Sequence, residues 1–196
     1  MDATYKRKIR GLHSKRDGEL FEKKILFAEL FYREKGFCFI QKTPEPMKVL
    51  CQNSGKPGTF IACFEKQAQP DFRGILCDGS TIIFDAKHTD GDRITRQVVS
   101  DEQEHCLNVH EEFGAHCYIV VSIQFRNYYR VPWNVFRDMK EIYGHKYMNE
   151  EDLEQFKISN TGGILRFLDG IEIEEKGKAS RRVQASITHR LNPDGS

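Results

Sequence analysis

No apolar run in the chain approaches the roughly 20 residues that cross a bilayer, and the mean hydropathy is −0.59, which excludes an integral membrane protein. No apolar segment follows the charged N-terminus, so no secretory leader is expected. No cysteines stand as C-x-x-C. Cys38, Cys51, Cys63, Cys77, Cys106 and Cys117 lie far apart, which reads as thiols of a reducing cytosol rather than a disulfide framework. Net charge is also nearly absent, since 30 Lys and Arg against 29 Asp and Glu leave +1, a total that advertises no polyanionic partner. Apolar residues are not scarce. With 39% hydrophobic and 11% aromatic residues in a chain of 196, the sequence suits one domain with a full core and excludes a disordered body.

The distribution of charge is more informative than its sum. Residues 1–16 carry Lys6, Arg7, Lys8, Arg10, Lys15 and Arg16 against Asp2, and residues 176–196 carry five basic groups against Asp194. The body between them is left with a net −8. An acidic body with two basic ends is a partition that suits phosphate contacts at the termini.

Along the chain, residues 1–16 show no apolar period and read as a mobile basic arm. From Asp17 to Lys35, Phe21, Ile25, Ala28 and Tyr32 recur at helical spacing, with Leu20, Phe27 and Phe31 widening the stripe and Gly36 placed to end the helix. A strand is expected at 37–41, and Pro44 and Pro46 then interrupt pairing. Residues 47–66 read as a protruding hairpin around Asn53-Ser-Gly-Lys-Pro-Gly58, and 71–77 and 81–87 as a second hairpin around Asp78-Gly-Ser80. Residues 90–100 read as loop. Residues 101–113 read as a helix with Cys106, Val109, His110 and Phe113 on one face. The unbroken apolar run 117–123 reads as a strand buried on both faces. A short strand at 128–131, a helix opened by Pro132 through Lys140, an acidic helix at 150–156 and strands at 164–167 and 183–188 complete the expectation. The order implies an α/β fold, with α+β character, in which a mixed sheet is flanked by helices.

The chemistry concentrates in Pro70-Asp71 and Asp85-Ala86-Lys87. Strand periodicity puts Asp85 and Lys87 on one face, and Asp71 opens the neighbouring strand. Two converging carboxylates offer the hard oxygens that Mg²⁺ prefers, and a nearby lysine suits a phosphate or its attacking water. A bare D-x-K is equally compatible with an exposed ion pair on an edge strand, so the surrounding order of elements has to decide. Cys106 and His110, with His105, His116 and Cys117, form a competing constellation. The paired short spacings of structural zinc are absent there, and core thiols with partnered histidines are the simpler reading.

Residues 18–140 resemble the RecU-type Holliday junction resolvases of the PD-(D/E)XK nuclease superfamily. The resemblance rests on Phe21-Glu22, Gly36-Phe-Cys-Phe-Ile-Gln-Lys42 with Pro44 and Pro46, Phe60-Ile-Ala-Cys-Phe64 and Gln69-Pro-Asp-Phe-Arg-Gly74. It continues with Phe84-Asp-Ala-Lys-His-Thr89, Asp101-Glu-Gln103, Gly114-Ala-His-Cys-Tyr-Ile-Val-Val121 and Tyr129-Arg-Val-Pro132. One position departs from it: the family usually has Glu where this chain has Asp85, a carboxylate one methylene shorter. The resemblance implies a restriction-endonuclease-like core with a β-hairpin stalk at 47–66, a nuclease domain over 17–140, and a C-terminal extension at 141–196. It implies a Mg²⁺-dependent endodeoxyribonuclease, with Mn²⁺ as a substitute, that resolves four-way junctions in recombination and repair. Asp71, Asp85 and the Ala86 carbonyl would hold the metal, and Lys87, Gln103 and Glu22 would join the two aspartates in catalysis. DNA would meet the arm (Lys6, Arg7, Lys8, Arg10, Lys15, Arg16) and the stalk (Lys48, Lys56, Lys66). A homodimer acting on branched DNA in the cytoplasm of a bacterial or phage-infected cell follows, with other recombination proteins as partners. The rival readings are another PD-(D/E)XK endonuclease of restriction or repair type, and an inactive branched-DNA-binding protein.

Overall fold

The computed structural model describes residues 3–44, 46–64, 69–175 and 178–182. Its first element, α1 (Ala3–Glu34), is 32 residues long and buries Phe21, Ile25, Ala28 and Tyr32 completely. These are the four residues of the expected stripe, spaced so that one face meets the sheet. Leu20 and Phe27, expected to widen that stripe, are instead exposed. Gly36, at φ 74°, ends the helix in the left-handed region that a side chain would resist.

The helix begins well before Asp17. Residues 3–16, expected as an arm without regular structure, continue it, because Lys and Arg are strong helix formers and extending a nucleated helix needs no apolar face.

Strands β1 (Cys38–Lys42), β2 (Met47–Gln52), β3 (Phe60–Phe64), β4 (Phe72–Leu76) and β5 (Thr81–Thr89) follow, then β6 (Arg93–Thr95), α2 (Asp101–Glu112), β7 (His116–Ile123) and β8 (Asn127–Pro132). The main sheet is completed by β10 (Lys157–Ile158), after α3 (Trp133–Arg137), α4 (Met139–Tyr143), β9 (Tyr147–Asn149) and α5 (Glu150–Leu153). Its order is β1-β4-β5-β7-β8-β10, antiparallel except for the β5–β7 pair. That parallel pair needs a crossover, which α2 supplies. β4 and β1 pass so closely that a Cβ at Gly74 would collide with the backbone of Phe39 and Ile40.

Each face of the sheet carries its own core. Phe21, Ile25, Tyr32, Phe72 and Phe84 pack on the α1 side, and Ile83, Leu107, Ile119, Val121, Trp133 and Phe136 on the α2 side. The β2–β3 hairpin stands outside both, with every one of its strand residues exposed.

Several expectations need correction. The loop 90–100 contains β6, which pairs with β9, and a short 3₁₀ turn. The helix expected over 132–140 breaks at Asp138, where φ −96° and ψ 19° leave the helical region and the carboxylate is held by Arg137. On α2 the buried positions are Gln103 and Leu107, whereas Phe113 is exposed. The boundary expected at 140 does not divide the packing. Leu165, Phe167, Leu168 and Ile171 fill the α1-side core, Tyr32 Oη donates to Asp169 at 2.7 Å, and the Arg130 guanidinium donates to the carbonyls of Phe167 and Asp169. Two small hairpins, β11–β12 (Asn160–Thr161, Ile164–Leu165) and β13–β14 (Glu172–Glu175, Lys178–Arg182), close the described chain. The strand expected at 183–188 lies outside the described residues.

Candidate active site

The register of β4 against β5 pairs Phe72 with Phe84, so the next step outward sets Asp71 opposite Asp85. The Asp71 amide donates to Asp85 Oδ1 at 3.3 Å, and the Ala86 amide donates to Asp71 Oδ2 at 2.9 Å. Asp85 follows Ile82, Ile83 and Phe84 into the core and is completely buried. A carboxylate carries a heavy desolvation cost in such a place unless an opposite charge or a hydrogen-bond donor meets it.

Two groups do. Lys87 Nζ lies 2.6 Å from Asp85 Oδ2, and Gln103 Nε2 donates to Oδ1 at 2.8 Å. Oδ2 accepts no aligned hydrogen bond and lies against the lysine ammonium. The shorter side chain at position 85 therefore still reaches its neighbours.

Gln103 is positioned by the start of α2. Ser100 caps that helix, its hydroxyl accepting from the Gln103 amide while the Ser100 amide donates back to Gln103 Oε1, a reciprocal capping box. The same Oε1 accepts from Lys87 Nζ at 3.4 Å. One amide side chain thus closes the helix end, orients Asp85 and steadies Lys87. Burial, and then the neighbouring Asp85 carboxylate, hold Asp71 well above the usual carboxylate range. Two carboxylates this close favour a shared proton or a cation.

Glu22 sits on α1, with Lys42 Nζ at 2.5 Å, and Lys42 is the register partner of Phe72. Glu22 is thereby engaged by a lysine rather than by the aspartate pair. A concavity of about 520 Å³ gathers Lys15, Lys23 and Lys42 around Glu22. Arg16 is exposed on α1, Lys48 is exposed on β2, and Lys56 is exposed at the tip of the same hairpin. Lys66 lies outside the described residues, and Lys6, Arg7, Lys8 and Arg10 belong to the first turns of α1.

The Cys106–His110 constellation resolves into local contacts, with His110 Nδ1 2.7 Å from the Cys106 carbonyl and the Cys117 thiol donating to the Leu107 carbonyl. Among the described residues, the cluster of metal-ligating side chains is a different one, Asp17, His88 and Asp90. Sequence spacing gave no sign of it, because 71 positions separate Asp17 from His88 and only the packing of α1 on the sheet joins them.

The family model for RecU, Recombination protein U, matches residues 16–173, which carries the family past residue 140 to the end of the packed body. No curated protein matches the chain. Among solved structures, Hjc of Archaeoglobus fulgidus, a Holliday junction resolvase from an archaeal hyperthermophile, is similar at 12% identity and a TM-score of 0.43, covering 71% of this chain and 88% of that one. With the family model spanning most of its length, the chain belongs to the Recombination protein U family, and the function that comes with membership is that of a Holliday junction resolvase, a nuclease acting on branched DNA.

Proposed function

We propose that the protein cleaves four-way DNA junctions as a Mg²⁺-dependent endonuclease, with Mn²⁺ able to substitute. The observation that carries this reading is Asp85: fully buried, facing Asp71, with one oxygen that accepts no aligned hydrogen bond. Asp71, Asp85 and the Ala86 carbonyl form an all-oxygen donor set of the kind that suits Mg²⁺. A divalent ion held there supplies positive charge to the scissile phosphate and acidity to an attacking water.

The chain's own groups do the rest. Lys87 carries its ammonium at the same edge, where it meets a non-bridging phosphate oxygen or the attacking water once the aspartates have another cation. Gln103 fixes the orientation of Asp85 and limits where Lys87 can point. Glu22 holds Lys42 on the strand beside that of Asp71. Hydrolysis leaves 5′-phosphate and 3′-hydroxyl ends, as the family resemblance implies.

The substrate suggests the assembly. A four-way junction presents two symmetry-related strands, so a two-fold homodimer places one site on each. The hairpin β2–β3 is the stalk that enters the junction, with Lys48, Lys56 and Lys66 on phosphates. Lys6, Arg7, Lys8, Arg10, Lys15 and Arg16 line the duplex arms. The cytoplasm of a bacterial or phage-infected cell is the expected setting, with other recombination proteins as partners. The nuclease domain runs from 17 to the end of the packed body rather than to 140.

The test is cleavage of a synthetic four-way junction, a flap and a linear duplex, in Mg²⁺ and in chelator. Junction cleavage that needs Mg²⁺ and disappears in Asp85→Ala is expected. Equal cleavage of the linear duplex, or full activity of Asp85→Ala, overturns the proposal.

A further inference from the structure

Lys87 points to the α2 side of the sheet, and the next residue, His88, lies on the other face. There Asp17 of α1, His88 of β5 and Asp90 bring one imidazole nitrogen and two carboxylate oxygens within 4.8 Å of one another. Ligands about 2.1 Å from a shared ion lie at most about 4.2 Å apart, so the set needs only a small adjustment to close on one, and Asp90, whose side chain is 76% exposed, has room to move.

His88 is built in rather than free. Its side chain is 3% exposed, its ring stacks on Phe125 at 4.0 Å, and its Nδ1 is 3.1 Å from the hydroxyl of fully buried Ser122. Nε2 lies 3.2 Å from Asp90 Oδ1, and in the tautomer that donates Nδ1–H to Ser122 the Nε2 lone pair is the one open to an ion. Metal-ligating histidines show this arrangement, one nitrogen anchored by the protein and the other left for the ion. Arg16, 3.5 Å from Asp17 and largely exposed, is the cation that now approaches the cluster.

The geometry points to a second cation site made by Asp17, His88 and Asp90, which takes a transition ion of the Zn²⁺ class. The Asp71–Asp85 pair offers only oxygen, whereas an imidazole in the set favours a borderline ion over Mg²⁺. The two sites therefore select different metals. The ion would tie the first half of α1 to the end of β5, the strand that carries Lys87.

The test uses the full chain with Asp71→Asn and Asp85→Asn, so that the proposed Mg²⁺ site makes no contribution and failure of that reading leaves this one standing. Zn²⁺ is titrated against a chromophoric chelator in millimolar Mg²⁺. One Zn²⁺ per chain is expected. Asp90→Asn and Asp17→Asn should each weaken it about tenfold or more, and Ser122→Ala, which frees the ring, by about tenfold. His88→Gln should abolish binding. Because Asp90 is a surface residue, its variant decides the matter even where His88→Gln does not fold. Unchanged affinity in Asp90→Asn, loss that follows His110→Gln instead, or no stoichiometric Zn²⁺ overturns the inference.

Discussion

At the scale of single residues, the aspartate pair links metal, proton and stability. The raised value of Asp71 means that the folded chain holds a proton there more tightly than the unfolded one. Without divalent ions, its contribution to stability is fully present in acid and is lost as pH rises from the usual aspartate value of 3.8 to about 7. The urea midpoint of Asp71→Asn should therefore exceed that of the parent at pH 8 by more than at pH 5, measured in chelator. Affinity for Mg²⁺ should run the opposite way and rise over the same window, because the ion needs both carboxylates ionised.

Gln103 gives a second prediction at this scale. Gln103→Ala removes a helix cap partner and leaves Asp85 Oδ1 with only the longer bond from the Asp71 amide. A loss of about 1–2 kcal/mol in stability is expected, with a larger fall in kcat than in KM on junctions. Asp71, Asp85 and Lys87 were legible because a strand-turn-strand pattern and period-2 geometry place them without further knowledge. Gln103 was legible only through the family resemblance. Its role depends on the capping box, which fixes the rotation of α2, and the apolar count that favoured Cys106, Val109 and Phe113 as the buried face carries no information about that.

At the scale of elements, the β2–β3 hairpin packs into neither core, so it adds nothing to the body that its removal would cost. Replacing residues 48–63 by a short turn should leave the melting temperature within about 2 °C, given how little buried surface is lost. Junction cleavage should fall at least tenfold if the stalk fills the junction centre. Retained junction preference in that variant removes the stalk from the proposed mechanism. The hairpin was plain in the sequence from Asn53-Ser-Gly-Lys-Pro-Gly58. The start of α1 was not, because a helix that continues outward from a packed segment needs only favourable backbone propensity and leaves no hydrophobic period to read. β6 and β9 escaped for a related reason: three-residue strands that pair across more than 50 positions carry almost no local pattern.

At the scale of the whole molecule, packing continues past residue 140, with Leu165, Phe167, Leu168 and Ile171 in the α1-side core. The chain cut after Lys140 should fail to fold, with loss of near-ultraviolet dichroism and of a cooperative melt. It loses Leu165, Phe167 and Leu168, all fully buried, at about 2–5 kcal/mol each, which exceeds the margin of a typical domain. The strand expected at 164–167 is present at Ile164–Leu165, but the burial of this segment was unreadable because it rests on Tyr32–Asp169 and Arg130–Phe167, contacts between residues far apart in sequence. The near-zero total of charge hid an acidic body in which Asp71 and Asp85 face each other.

The single parallel pair in the sheet also orders the assembly of the site in time. The β4–β5 hairpin closes across a short turn and brings Asp71 against Asp85 early, whereas Gln103 arrives only after β7 has docked beside β5 across a crossover of 34 positions. The repulsive half of the site forms before the amide that steadies it. Mg²⁺ present during refolding should therefore raise the folding rate of the parent, and Asp71→Asn should fold faster than the parent in chelator and lose that acceleration, as read by stopped-flow fluorescence of Trp133.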